Sequence, residues 1–163
     1  HCRSRICAPA RAGCAAAEQS VKTLLLVHAA ATCYMCGVIW FVQLVHYPLF
    51  SAVGSGGFVN YQQQHVRRTG WVVGPAMLLE GSTALALCLF SPPELSPMFV
   101  WTGLGLLALV WLATFAWQGP CHDALLKGFD VGRHAWLVRS NWLRTVIWTV
   151  RAGLALYVLP MYS

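Results

Sequence analysis

Four apolar blocks, residues 24–47, 71–90, 98–117 and 142–159, divide this sequence at polar or Gly/Pro-rich joints. Each is about 18 to 24 residues long, close to the ~20 that a helix needs to cross the hydrocarbon core of a bilayer. In that solvent every backbone N–H and C=O must find its partner inside the helix or inside a closed barrel. The alternation of a barrel strand is absent, so helices are expected. Composition points the same way. Of the 163 residues, 58% are hydrophobic and 10% charged, whereas a soluble domain carries about 25% charged residues. The predicted fold is all-α, an integral membrane four-helix bundle over residues 22–163, with short amphipathic segments in the loops 48–70 and 118–141.

The segment before the bundle, "HCRSRICAPARAGCAAAEQS", is rich in Ala, Arg, Cys and Ser and holds one acid, Glu18. That composition fits an N-terminal tail over 1–21 that is the remnant of an organelle transit peptide. Cys33, Cys36 and Cys88 fall inside apolar helices, where cysteine acts as a small hydrophobe. The spacing "CYMC" is formally C-x-x-C, but no βα context surrounds it and no His follows it. Cys2, Cys7 and Cys14 lack the spacing of an iron–sulfur site.

Four spans place both termini on one side, here side A, and the loops 48–70 and 118–141 on the other, side B. Side B carries Arg67, Arg68, Lys127, Arg133 and Arg139, and side A carries Arg3, Arg5, Arg11 and Lys22. The positive-inside bias toward side B is slight. The net charge of +6 flanks membrane segments and forms no nucleic-acid footprint, because no basic stripe is interleaved with exposed aromatics. "GSGGF" reads as a flexible turn, residues 58–69 as an amphipathic helix, and Gly74-Pro75 as a kink in the second span. "SPPELSP" reads as a stiff connection, and residues 123–129 as a second short amphipathic helix.

Polar residues inside such blocks need partners. On the first span His28, Thr32, Ile39, Gln43 and His46 share one sector at 100° per residue. On the fourth, Asn141, Arg144, Thr145, Trp148 and Arg151 do so. Glu80 and Arg151 lie near mid-span at matching depth, and a lone charge there costs about 2.5 to 3.5 kcal/mol on insertion scales. A structural ion pair of Glu80 with Arg151 or Arg144 is the simplest remedy. The functional alternative makes Glu80 a metal, magnesium-pigment or proton ligand. A second group gathers at side B: His46, His65 and His122 from three elements, with Gln43, Gln118 and Asn141 at similar height. Neutral imidazoles there could hold a metal. They could equally be separate axial ligands of chlorophyll or haem, or hydrogen-bond a quinone, or simply bond headgroups and loop carbonyls. His28 lies toward side A and stands apart as a separate candidate cofactor contact.

At "GVIWFVQLVHYPLF", "RRTGWVVGPAMLLE" and "NWLRT" the chain resembles small uncharacterised four-helix membrane proteins of bacterial type. More distantly it is similar to the anthrone-oxygenase-like family. That second resemblance implies oxidation of a hydrophobic aromatic and assigns no residue a role. Eight Trp and seven Phe make a broad aromatic surface suited to flat hydrophobic partners. Two functions follow as expectations. One is a non-catalytic membrane subunit of an organellar bioenergetic complex, photosynthetic before respiratory, that binds chlorophyll, carotenoid, lipid or quinone beside other integral subunits. It would sit in a plastid thylakoid, a mitochondrial inner membrane or a bacterial inner membrane. The other is a small membrane oxidoreductase or oxygenase that uses the His-rich site. No nucleophile–base–acid triad is evident, since Cys121-His122 lacks an orienting third group.

Overall fold

A computed structural model of the protein describes residues 8–90 and 95–162. The first seven residues, with Cys2, Cys7, Arg3 and Arg5, lie outside the described residues, as does most of "SPPELSP". Helix α1 spans Ala8–Phe41, α2 Phe58–Leu89, α3 Pro97–Ala113, α4 Gly119–Leu125 and α5 Val131–Val158. A π turn, Val42–His46, and a 3-10 turn, Pro48–Ala52, extend α1. A second π turn, Thr114–Gln118, joins α3 to α4. No strand occurs among the described residues.

Four helical segments, Ala16–Ala52, Phe58–Leu89, Pro97–Leu125 and Val131–Tyr162, are long and apolar enough to cross a membrane. Helix α1 packs between α2 and α5, and α3 closes the bundle against α2 and α5. Large apolar side chains cover the outside, with Leu78 64%, Leu112 64% and Trp71 78% exposed. That is the surface a lipid-facing bundle needs and a water-facing one avoids.

The two π turns have one cause. Proline has no N–H, and its ring clashes with the carbonyl four residues back. Pro48 and Pro120 each follow a π turn by two residues. The backbone widens before each, so the Tyr47 N–H bonds Val42 O at 2.9 Å and the Gly119 N–H bonds Thr114 O. Neither proline stops its helix sharply.

Helix boundaries differ from expectation in three places. Residues 58–69 and the second span form one helix of 32 residues that continues through Pro75, about 48 Å long at 1.5 Å per residue. Helix α1 passes the expected boundary at residue 21 without a break. The short helix expected over 123–129 is instead α4, and the expected loop 118–141 is helical from Val131 onward. Asp130 starts α5 as its N-cap, its carboxylate accepting the Arg133 N–H at 2.6 Å. Gly128 turns the chain between α4 and α5 at φ 147°, a conformation that favours glycine.

Three apolar clusters stack along the bundle. Leu25, Leu87, Leu95 and Val158 fill the side A end. Met35, Ile39, Met77, Val110 and Trp148 fill the middle. Val42, Phe50, Phe58, Leu125 and Leu137 fill the side B end. Buried polar side chains lie between and beside these layers.

Candidate functional site

At side B the π turn of α1 brings Gln43 and His46 inward. Gln43 is buried, its Nε2 donating to Val138 O at 3.2 Å and its Oε1 accepting from Asn141 Nδ2 at 2.8 Å. His46 is half-buried and turns to α2, where its Nε2 and His65 Nδ1 are 2.8 Å apart. Thr69, one turn beyond His65, places its hydroxyl 3.0 Å from the same Nδ1. His122 comes from α4. Its Nε2 is 2.9 Å from the Tyr47 hydroxyl, and its Nδ1 is 2.9 Å from Gln62 Nε2. An amide N–H facing Nδ1 makes that nitrogen the acceptor, so Nε2 carries the proton and donates to Tyr47.

Two further residues complete the network. His134 Nε2 donates to Tyr47 O at 2.8 Å, a carbonyl that also accepts the Phe50 N–H at 3.1 Å. Arg144 NH1 donates to Asn141 Oδ1 at 3.1 Å, and its guanidinium lies beside the Tyr47 side chain. It also lies 5.2 Å over the Trp148 ring, a cation–π geometry.

Part of this network, Tyr47, His65, Thr69, His122 and Arg144, borders a cavity of about 240 Å³ between α1, α2 and the α3–α4 junction. Met35, Ile39, Val42 and Val73 form its greasy side, and Tyr47, His65, Thr69, Gln118, His122 and Arg144 its polar side. Both π turns border it, and such turns concentrate at functional sites. Two of the lining residues, Gln118 and Arg144, each carry a buried polar atom without a hydrogen-bond partner, Oε1 and Nε respectively. Unpaired buried polar atoms are uncommon and call for an explanation.

The three histidines expected together are indeed neighbours, with ring centroids 4.7 Å apart for His46–His65 and 5.1 Å for His65–His122. Their bonded nitrogens point at one another, at Tyr47 and at Gln62. Among the described residues no group of three or more His, Cys, Asp and Glu is placed to hold a metal ion. Gln118 reaches Ser140 with its Nε2 at 2.8 Å. His28 is separate, its Nδ1 2.9 Å from the Thr83 hydroxyl.

Glu80 is fully buried mid-bundle. Arg151 donates to its Oε1 from Nε at 3.1 Å and from NH2 at 2.8 Å, and Trp148 Nε1 donates to Oε2 at 3.0 Å. Arg151 NH1 donates to Gly103 O. Both carboxylate oxygens are therefore committed to protein donors. Arg144 takes no part in this pair, and its polar contacts lie with the side B network.

Tyr47, Gln62, Thr69 and His134 belong to the site and were not singled out from the sequence. Gln62, His65 and Thr69 stand at i, i+3 and i+7, one face of α2, and that spacing was the available signal. His134 had none, because its segment looked like loop. No family model, curated protein or solved structure matches the chain.

Proposed function

We propose that this is an integral membrane protein that holds a hydrophobic molecule by an oxygen-bearing head in the side B cavity. The observation that carries the reading is the cavity itself. It is a greasy slot floored by Tyr47, His65, Gln118, His122 and Arg144, with two of its buried polar atoms unpaired. Ligand sites are mostly apolar clefts with a few convergent polar groups. Its volume of about 240 Å³ falls below the ~300 to 1,000 Å³ of larger ligand pockets. A quinone-like or lipid-like head fits that space better than a tetrapyrrole or a carotenoid. Binding within a larger membrane assembly remains the favoured setting, with the broad apolar outer surface as its support.

The test is extraction of the protein purified from its membrane in mild detergent. Organic-solvent extracts, read by mass spectrometry, should contain one amphiphile at near-stoichiometric amount. Gly70 lies on the cavity wall, and a Cβ there meets nothing within 4 Å. Gly70→Phe should therefore empty the site while the protein stays folded. Extracts that match bulk membrane lipid in both proteins would refute the reading.

A second reading, catalysis on the bound molecule, has one observation in its favour. The Tyr47 hydroxyl and His122 imidazole, 2.9 Å apart at the cavity wall, form a pair suited to passing a proton. Redox turnover of the extracted compound, lost in Tyr47→Phe, is the result that would favour it.

A further inference from the structure

We propose that the head held in the side B cavity is ionised: a carboxylate or phenolate on a hydrophobic body. The inference rests on the binding reading above and narrows its ligand. It starts from a difference between two arginines on one helix. Arg151 has its counter-ion, Glu80, at 2.8 Å. Arg144 lies two turns away on α5 and is 7% exposed. Its partners are the amide of Asn141, the side chain of Tyr47 and the face of Trp148, none of them a carboxylate. Among the described residues the ion pairs are Lys22–Glu18 and Arg151–Glu80.

A guanidinium does not lose its proton in proteins, so Arg144 is a fixed buried cation. Isolated charge in a low-dielectric site is costly unless an opposite charge comes to it. The Nε of Arg144 is the unpaired donor of this group, and the residue lines the cavity. Beside it stands the Tyr47 hydroxyl, whereas Gln118 Nε2 is committed to Ser140 Oγ at 2.8 Å. Oxyanions form charge-assisted hydrogen bonds with such donors, roughly twice as strong as neutral ones. The one carboxylate on the lining, Asp123, is exposed, where solvent screens it. A neutral quinone carbonyl would accept a bond from Arg144 but leave its charge uncompensated.

The test compares 4-decylbenzoate with its methyl ester and with decyl-benzoquinone. Binding is measured by titration calorimetry in non-ionic micelles, with Gly70→Phe as the baseline for partition into detergent. The acid should bind the wild-type protein at least tenfold tighter than the ester or the quinone. Arg144→Gln should reduce that preference to within twofold, and Arg144→Lys should keep most of it. Equal binding of acid, ester and quinone, all blocked by Gly70→Phe, would overturn the ionised head and leave the cavity reading standing. Heat that is the same in wild type and Gly70→Phe for all three probes would overturn both. The wild-type comparison alone decides between these results if Arg144→Gln fails to fold.

Discussion

Removing Glu80 should harm the fold more than removing Glu80 and Arg151 together. Arg151 is 3% exposed and Glu80 fully buried, so Glu80→Met leaves a guanidinium inside the bundle with Gly103 O as its remaining partner. Breaking a buried pair from one side costs about 3 to 5 kcal/mol. The Trp148 N–H, 3.0 Å from Glu80 Oε2, is orphaned as well, at about 1 to 3 kcal/mol. Glu80→Met should therefore cost roughly 4 to 8 kcal/mol on these two terms. Arg151→Met should cost less, because a stranded carboxylate can take up a proton and a guanidinium cannot. The double variant has no stranded charge. Apolar replacement of a buried pair is often neutral, which leaves the Trp148 orphan and about 1 to 3 kcal/mol. Equilibrium unfolding of all four proteins in mixed micelles, with SDS as denaturant, gives the coupling energy of the cycle. Strictly additive single and double losses would refute the reasoning.

Gly81 sits against α3, and a Cβ there would lie 3.2 Å from Trp111 Cζ2. Gly81→Leu should cost about 1 to 3 kcal/mol by overpacking, read as a lowered melting temperature in detergent. Asp130→Ala removes the cap of α5, and unfolding should show a loss of about 0.5 to 2 kcal/mol. His46→Leu deletes the 2.8 Å contact to His65, while Thr69 still reaches His65 Nδ1. Stability should fall by about 1 kcal/mol. The extracted ligand should be retained, since His46 borders an outer groove with Tyr61, Gln64 and Arg68 rather than the cavity. Loss of ligand at unchanged stability would make His46 a direct contact.

Hydropathy reads the number of long helices because lipid demands long apolar runs, and the four runs here are unmistakable. It reads their ends poorly. Arg133 and Arg139 in α5 look like loop to a hydropathy argument, although their backbone is helical, and residues 58–69, which read as a separate amphipathic helix, are the first turns of α2. Helix α2 outreaches a hydrocarbon core of ~30 Å, so polar residues on its first turns carry no penalty. A proline ordinarily stops a helix, but at Pro48 and Pro120 a preceding π turn absorbs the clash, and those turns carry the buried Gln43 and Gln118. Gln43, His46 and Glu80 were legible as inward-facing because lipid gives them no partner. Arg144 was harder to place. Its face was clear, but it lies about 10 Å along α5 from Arg151 at 1.5 Å per residue, too far to share Glu80.

Between helices in lipid the hydrophobic effect gives little drive to associate, so packing and interhelical hydrogen bonds must choose the arrangement. Here polar contacts fix the rotation of α1 at several depths. His28 meets Thr83 on α2 at 2.9 Å, Trp40 Nε1 donates to Thr149 on α5 at 3.0 Å, and Asn141 on α5 donates to Gln43 at 2.8 Å. A rotation of α1 by one residue, about 100°, would break all of them together. With α1 held, Tyr47 has one place to go, between His122, His134 and Arg144. The same contacts that specify the bundle therefore preform the polar wall of the cavity before any ligand arrives. Glu80 and Arg151 answer each other inside the protein, whereas Arg144 has no carboxylate partner among the described residues.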